Sequence, residues 1–225
     1  IYLIYYKLIC INTLYIRGIV ISMDMILPYK KDYQERENNK NAFFNHYGDY
    51  FNIVCVEDYE ERYEVFNNEA KESKEDYIAL ADTDAIVDIE QINIALFKLE
   101  NGADMVYPYD HVINLHPDGT QTDDWPKGFE YGLMVMFNRK SFLEFGCENE
   151  NFKGYGWEDL ERYYRALNAG LKVERVTGVC YHLTHPRDGF KNPFFNYNMG
   201  LMKKEKMKWL KKTTNLDMMW NHSMM

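Results

Sequence analysis

The feature that most constrains the fold is an alternation of short apolar runs with polar stretches of helical length in the first half of the chain. Four strands are predicted from the apolar runs at 19–29, 52–56, 77–81 and 105–107, with Pro28 ending the first. Helices are predicted for the polar stretches at 30–47, 59–74 and 87–100. Strands that alternate with helices form a mostly parallel sheet with helices on its faces. We therefore expect an α/β fold.

The second half of the chain has a different pattern. A hairpin is expected at 112–122, with a turn at 116–119, because the turn contains a Pro-Asp-Gly sequence. Strands are expected at 131–137 and within 171–181, and a short helix at 139–145. A longer helix at 157–169 ends at Gly170, which suits a left-handed cap. A basic helix is expected at 203–212.

Neither a linker nor an internal repeat divides the chain of 225 residues, so we expect one domain at 23–200. Residues 1–22 are apolar but carry Lys7, Asn12 and Arg17, so we interpret them as a non-native N-terminal extension. A membrane anchor is the alternative. It would be a weak one, because a charge within a membrane helix costs about 2.5–3.5 kcal/mol. Residues 201–225 are expected to form the basic helix and a frayed tail.

Charge and composition exclude some classes of function. The formal net charge of −9 argues against a general nucleic-acid binder. The 19 tyrosines and 13 phenylalanines suit a sugar-binding cleft, or they reflect an AT-rich coding sequence. The four cysteines are far apart, which argues against a disulfide framework or a zinc knuckle. We expect a cytoplasmic protein, or one that is peripheral at the membrane.

Two aspartates flank Thr83 directly after the third predicted strand. Alternation along a strand end points the carboxylates of Asp82 and Asp84 to one side. Carboxylates held together repel each other unless a cation lies between them, and oxygen ligands suit Mg²⁺ or Mn²⁺. Ligands of such sheets bind beyond the carboxyl ends of the strands. The alternative is an ordinary Asp-rich turn.

Two histidines, His182 and His185, follow the last extended stretch. Both rings can face one ion if the segment turns, and imidazole favours Mn²⁺ over Mg²⁺. Together with Asp84 they would form a mixed oxygen and nitrogen site. Arg187 suits a phosphate, and the alternative is a surface ion pair with Asp188.

The helix predicted at 157–169 follows a turn that contains Gly154 and Gly156, which allow positive φ. Glu158 and Asp159 lie in its first turn, where carboxylates stabilise any helix start. That is the alternative to a functional role. Trp157 beside two carboxylates is an arrangement that suits a sugar acceptor, since one carboxylate can act as general base. The pairs Glu158–Arg162 and Glu161–Arg165 are predicted from their spacing.

These motifs, at 82–84, 154–170 and 180–188, resemble in order and spacing those of the metal-dependent glycosyltransferases of the GT-A fold. The likeness is to the animal β-galactosyltransferases and the bacterial chondroitin-synthase-like enzymes, through their shared C-terminal galactosyltransferase motif. It covers residues 25–188 and implies a Rossmann-like mixed sheet flanked by helices. Leu160 and Glu161 replace aspartates of the animal enzymes, and His182 stands where those enzymes carry a Met ligand.

The resemblance implies inverting transfer of a galactose or N-acetylhexosamine type of sugar from a UDP-sugar to a hydroxyl of a glycan or glycoconjugate. Mn²⁺ or Mg²⁺ would be bound by Asp84, His182 and His185. Asp159 would be the general base, and Glu158 with Trp157 or Tyr155 would hold the acceptor. The donor would contact Pro28, Tyr29, Lys30, Asp58, Asp82 and Arg187. Trp125, in the loop at 110–128, is a further candidate for acceptor contact.

Two other classes of function stay open from the sequence. A metal-dependent phosphohydrolase or nucleotidyltransferase could use the same aspartates, but a two-metal site would need more acidic ligands than the nearby Asp88 and Glu90. A catalytically inactive glycan-binding module would bind glycans with Asp159 dispensable. The intact set of aspartates and histidines argues against it.

Overall fold

The computed structural model describes residues 22–128, 130–186 and 192–222. The expected extension, apart from Ser22, and Arg187 lie outside the described residues. The described residues form ten strands, β1 (Met23–Tyr29), β2 (Asn52–Glu57), β3 (Tyr77–Ala81), β4 (Ala85–Val87), β5 (Met105–Tyr107), β6 (His111–Leu115), β7 (Gln121–Thr122), β8 (Met134–Asn138), β9 (Val173–Arg175) and β10 (Val179–Leu183). They also form the helices α1 (Gln34–Tyr47), α2 (Arg62–Glu72), α3 (Ile89–Glu100), α4 (Arg139–Glu144), α5 (Glu158–Ala169) and α6 (Phe195–His222).

The larger sheet has six strands in the order β2-β1-β3-β8-β5-β9. Strand β1 pairs in parallel with β2 and β3, whereas β8 runs antiparallel to both β3 and β5. The α/β class and the mixed sheet are confirmed, and the sheet is mostly parallel, because β8 is the one strand of the six that runs against the others. Strand β8 begins with Met134 opposite Ala81, at the carboxyl end of β3, so it has to run back along β3.

Both faces of the larger sheet are buried, because alternate side chains of each central strand enter two different apolar clusters. Met25 and Leu27 of β1 pack in one cluster, and Ile26 packs in the other. Ala79 and Leu80 of β3 divide in the same way. Strands buried on both faces read as continuous apolar runs, which is why they could be recognised in the sequence.

The smaller sheet has the strand order β4-β10-β6-β7. The predicted hairpin is confirmed as the antiparallel pair of β6 and β7. Strand β10 pairs antiparallel to β4 and parallel to β6, with His182 opposite both Ala85 and Asn114. Since β4 begins with the residue after Asp84, this pairing places the histidine segment next to the aspartates that follow β3.

Among the predicted element boundaries that differ from the structure, three concern the strands β1, β4 and β8. Pro28 lies inside β1, because the pairing of β1 with β3 stops at Ile26 and no ladder bond to β3 is demanded of the proline. Val87 belongs to β4, and α3 starts only after Asp88, whose side chain caps it by accepting from the Glu90 amide at 2.8 Å. The strand predicted at 131–137 starts at Met134.

A tight turn explains the late start of β8. The Met134 amide donates to the Gly132 carbonyl at 2.7 Å, and the intervening Leu133 has a φ of 62°. A bond between residues two apart closes a γ-turn, which is incompatible with an extended strand. The turn brings Gly132 beside the first turn of α5.

Helix α6 contains the predicted basic helix but is longer than predicted. It packs against α5, and Asn168 donates to the Glu205 carbonyl at 3.0 Å. The domain boundaries expected at 22/23 and 200/201 stay predictions. None of the helices in the described ranges is both long enough and apolar enough to cross a membrane.

Candidate active site

Asp84, His182 and His185 come together in the structure. The Asp84 carboxylate Oδ2 lies 3.0 Å from His185 Nε2 and 3.7 Å from His182 Nε2. The three candidate ligand atoms all lie within 4.8 Å of one another. The side chains are 14 % (Asp84), 4 % (His182) and 5 % (His185) exposed, so the cluster is largely shielded from water. The backbone bond from the Leu183 amide to the Asp84 carbonyl, at 2.7 Å, ties the two segments together.

The cluster has the chemistry of a divalent-cation site. His185 Nδ1 lies 2.7 Å from the Pro186 carbonyl, which can only accept, so Nδ1 carries the proton and Nε2 presents a lone pair when the ring is neutral. The buried Oδ1 of Asp84 has no hydrogen-bond partner. Burial opposes ionisation of Asp84, but the neighbouring imidazoles of His182 and His185 outweigh burial and hold the pKa of the Asp84 carboxyl below its usual range. A carboxylate with two imidazole nitrogens suits Mn²⁺.

Asp82 and Asp84 have different side-chain partners in the structure. They lie in a turn in which the Ala85 amide donates to the Asp82 carbonyl at 3.2 Å. Asp82 accepts from the Arg62 guanidinium at 2.6 Å, while Asp84 faces the histidines. Burial raises the pKa of Asp82, although Arg62 opposes the shift.

Arg62 was not identified from the sequence. It begins α2, and its guanidinium bonds to Asp82 and lies 3.6 Å from Glu158 Oε1. It thereby links the aspartates after β3 to the start of α5. The sequence offered no signal for this role, because the run 60–62 reads as an ordinary charged helix start.

The turn before α5 has left-handed backbone at Gly154, Gly156 and Trp157, with φ of 64°, 104° and 74°. The two glycines were predicted to allow this. Trp157 is the residue before the helix instead of its first residue, and left-handed backbone is strained for a Trp. Its ring lies against Phe195 of α6, with centroids 5.5 Å apart.

Asp159 is fixed from two sides. Its carboxylate accepts a hydrogen bond from Arg162, which also contacts Glu148 and donates to the Tyr131 carbonyl at 3.3 Å. On the other side, a Cβ added to Gly132 would lie 2.8 Å from Asp159 Oδ2. Arg162 therefore pairs with Asp159 and not, as predicted, with Glu158. The pair of Glu161 and Arg165 is present at 3.1 Å.

Glu158 is buried beside Arg62, and its Oε2 has no hydrogen-bond partner. Burial and the neighbouring Asp159 charge raise the pKa of Glu158 to about 7, although Arg62 acts in the opposite direction. The side chain therefore gains a proton near neutral pH.

A cavity of about 590 Å³ joins the metal-type cluster to the start of α5. Its wall includes Asp159, Trp157, His182 and His185, which are distant in the sequence. Trp125 also lines it, with its ring centroid 5.3 Å from that of His182. Tyr155 is 46 % exposed and lies next to Gly156 at the cavity wall.

The residues predicted to contact the donor lie at the carboxyl ends of β1 and β2. Pro28 and Tyr29 are buried, and the Tyr29 hydroxyl donates to Glu37 at 2.6 Å. Lys30 is exposed, with its ammonium 4.7 Å from the centre of the Tyr59 ring. Asp58 is exposed and has a φ of 56°. The structure brings this group to the same sheet edge as Asp82, while Arg187 lies outside the described residues.

Solved structures share this architecture. The catalytic domain of Drosophila β1,4-galactosyltransferase 7 in complex with xylobiose matches with a TM-score of 0.56 and 20 % identity, over 82 % of this chain and 80 % of that one. A mutant of the same Drosophila enzyme, in complex with manganese, UDP-Gal and xylobiose, matches with a TM-score of 0.56 and 20 % identity, over 80 % of this chain and 79 % of that one.

The chain has the GT-A glycosyltransferase fold. In addition, residues 126–187 match the family model described as the N-terminal domain of galactosyltransferase. No curated protein sequence matches the chain. The GT-A fold and the glycosyltransferase class predicted from the motifs are thus confirmed. The family-matched segment holds Trp157, Asp159 and both histidines, the GT-A motifs identified in the sequence.

Proposed function

We propose that this GT-A protein transfers a sugar from a UDP-sugar to a hydroxyl of a glycan or glycoconjugate, with inversion at the anomeric carbon and with a divalent cation. One observation supports this most strongly. His182 and His185, which cluster with Asp84, line the same cavity as Asp159, so a donor diphosphate and an acceptor hydroxyl can meet there. The Drosophila complexes that contain UDP-Gal, manganese and xylobiose support this choice of ligands.

Asp84 and the two histidine Nε2 atoms would hold Mn²⁺, with Mg²⁺ as the weaker candidate. When bound, the cation would neutralise the diphosphate and make UDP a better leaving group. The site favours cation binding, because the Asp84 carboxylate stays ionised and the His185 ring keeps its proton on Nδ1.

Asp159 is the proposed general base. Its carboxylate would accept the proton of the acceptor hydroxyl as that oxygen attacks the anomeric carbon, a role that contributes about 10²–10⁴-fold to a rate. Arg162, which is 3 % exposed, holds the carboxylate in one orientation through a charge-assisted hydrogen bond. Orientation of this kind is what a positioned base requires.

The acceptor sugar would lie against Trp157, whose ring is held by Phe195 and forms a wall of the cavity. Trp125, which also lines the cavity, and the exposed Tyr155 are the other proposed acceptor contacts. Glu158 contacts Arg62, so its proposed role is indirect. It would hold the start of α5, and with it the acceptor contacts, in place through Arg62.

The donor would extend from the cation towards the ends of β1 and β2. Because Pro28 and Tyr29 are buried, the exposed Lys30 and Asp58 are the proposed direct contacts to the nucleotide, together with Asp82, which Arg62 holds. Arg187 is proposed to neutralise phosphate charge. A UDP-sugar of galactose or N-acetylhexosamine type is the proposed donor.

The competing enzyme class, a two-metal phosphohydrolase or nucleotidyltransferase, is disfavoured by the geometry. Asp88 caps α3, and Asp82 is neutralised by Arg62, so neither is poised as a ligand of a second ion. Within the described ranges, the cluster of Asp84, His182 and His185 is the one group that qualifies as a cation site. A cytoplasmic or membrane-peripheral location remains a proposal.

The test is a donor screen that measures UDP release with Mn²⁺, with and without saccharide acceptors. We expect acceptor-dependent UDP release for the wild type. Asp84→Ala should lose metal-dependent donor binding, whereas Asp159→Asn should bind donor and lose transfer. Lys140→Ala, on the exposed surface of α4, is the matched control and should behave like the wild type. Donor consumption that never depends on an acceptor would support a phosphohydrolase, and transfer at the wild-type rate by Asp159→Asn would contradict the base assignment.

A further inference from the structure

His182 and Asn114 face each other on neighbouring strands of the smaller sheet. They occupy paired positions of β10 and β6, and His182 Nδ1 lies 2.6 Å from Asn114 Oδ1. An amide oxygen accepts and cannot donate, so the proton in this bond belongs to His182 Nδ1. The conclusion depends on which end of the Asn114 amide faces the histidine.

Asp124 determines the orientation of that amide. Asn114 Nδ2 donates to Asp124 Oδ1 at 2.7 Å, and the Thr122 hydroxyl donates to the same oxygen at 2.8 Å. These bonds, from Thr122 and Asn114, hold the pKa of Asp124 below its usual range, so it is an ionised carboxylate that only accepts. The NH₂ group of Asn114 must therefore face Asp124, and its oxygen must face His182.

The consequence reaches the cation site. With the proton on Nδ1, His182 presents the lone pair of Nε2 towards Asp84 Oδ2, 3.7 Å away. If the acceptor for Nδ1 were lost, the opposite tautomer would place a proton on Nε2, where it can bond to the Asp84 carboxylate. That proton would occupy the direction in which a cation has to bind.

We propose that Asn114 is a positioning residue that holds His182 in the Nδ1–H tautomer required for cation binding, and that Asp124 holds Asn114 in turn. This inference rests on the metal-dependent function proposed above. His185 obtains the same tautomer from the Pro186 carbonyl, so its state does not depend on Asn114. The dependence is therefore specific to one of the two histidines. A partner of this kind that orients a ligating histidine typically accounts for 10- to 100-fold in metal affinity.

The direct test is the tautomer of each histidine in the metal-free protein, read from long-range ¹H–¹⁵N NMR spectra at a pH where the rings are neutral. We expect both His182 and His185 to be Nδ1–H in the wild type. In Asn114→Leu, His182 should shift to Nε2–H while His185 keeps its tautomer. Wild-type spectra that show His182 as Nε2–H would overturn the proposal without any variant.

Mn²⁺ affinity, measured by electron paramagnetic resonance of the free ion, is the second readout. Asn114→Leu should bind Mn²⁺ about 10- to 100-fold more weakly than the wild type. Thr122→Val is the matched control, because it removes another bond to Asp124 and leaves the contact between Asn114 and His182 in place. It should bind Mn²⁺ close to the wild-type level.

A double exchange provides the rescue. Asn114→Asp combined with Asp124→Asn reverses the amide and the carboxylate while keeping an acceptor for Nδ1, so the Nδ1–H tautomer and the Mn²⁺ affinity should return. If Asn114→Leu does not fold, the double exchange and the wild-type spectrum decide. Equal Mn²⁺ affinity in the wild type and Asn114→Leu would contradict the role of Asn114 but not the proposed function. A wild type that binds no Mn²⁺ would contradict both.

Discussion

The Nε2 atom of His185 lies 3.0 Å from the Oδ2 atom of Asp84, although the two residues are far apart in the sequence. The pairing of β10 with β4 creates this contact, and the Pro186 carbonyl leaves the facing nitrogen as an acceptor when the ring is neutral. Two acceptors at this distance repel each other unless a proton or a cation lies between them.

The first prediction is that Mn²⁺ stabilises the folded protein through this contact. A ligand that binds the native state at 100 times its Kd adds about 2.7 kcal/mol to the free energy of unfolding. We expect that gain in urea denaturation of the wild type and its loss in Asp84→Ala. Glu90→Gln, on the exposed start of α3, should keep the gain. The same Mn²⁺-dependent gain in Asp84→Ala would show that the ion binds elsewhere.

The second prediction concerns Glu158 and pH. Because the pKa of Glu158 is raised to about 7 in the folded state, the protonated form is favoured by folding. The resulting stability is fully present below about pH 4.5 and is lost as the pH rises through about 7. Glu158→Gln cannot ionise, so its free energy of unfolding should rise relative to the wild type between pH 5 and 8, by up to about 3 kcal/mol.

Denaturant unfolding of the wild type and of Glu158→Gln across this pH range tests the prediction. The contributions of the other titratable groups cancel in the difference between the two free energies of unfolding. Glu144→Gln, whose carboxylate is 68 % exposed, is the control and should give a flat difference. A flat difference for Glu158→Gln as well would mean that Glu158 is ionised throughout and stabilised by Arg62.

The third prediction is that Gly132→Ala impairs transfer by moving the base. The new Cβ would lie 2.8 Å from Asp159 Oδ2, so the carboxylate has to shift. Misplacement of about 1 Å can cost on the order of 100-fold in rate. We expect the rate of transfer to fall while UDP binding, measured by calorimetry, stays unchanged. Gly200→Ala, which meets nothing within 4 Å, should transfer normally. Normal transfer by Gly132→Ala would show that Asp159 does not need its present position.

The fourth prediction is that Arg62 is needed for both stability and donor binding. Its removal in Arg62→Ala leaves the carboxylates of Asp82 and Glu158 without their cationic partner, which should lower the free energy of unfolding by about 2–3 kcal/mol. Arg62→Lys keeps the charge and should lose less. Denaturant unfolding with and without UDP separates the two effects. Wild-type stability of Arg62→Ala would mean that the two carboxylates are satisfied by solvent.

The sequence was sufficient for the strands that are buried on both faces, and for the motifs whose chemistry depends on residue type. Met25 and Ala79 lie in continuous apolar runs, which is the pattern of such strands. The two histidines could be matched to Asp84 by the chemistry of their ligand atoms, before their positions were known.

The sequence was not sufficient to predict the role of a side chain whose partner is distant in the sequence. Arg62 and Arg162 look like helix-surface arginines until the fold brings them to Asp82 and Asp159. Asn114 gave no signal, because its role depends on the parallel pairing of β6 with β10. The direction of β8 also escaped prediction, since an apolar run has the same pattern in either orientation.

The central claim is that one divalent cation is bound by Asp84, His182 and His185. Anomalous X-ray scattering at the manganese edge, from crystals grown with Mn²⁺ and UDP, tests it most directly. We predict a single strong peak within coordination distance of the Asp84 carboxylate and of both histidine Nε2 atoms. A manganese peak bound by other residues, or no peak at saturating Mn²⁺, would contradict the account.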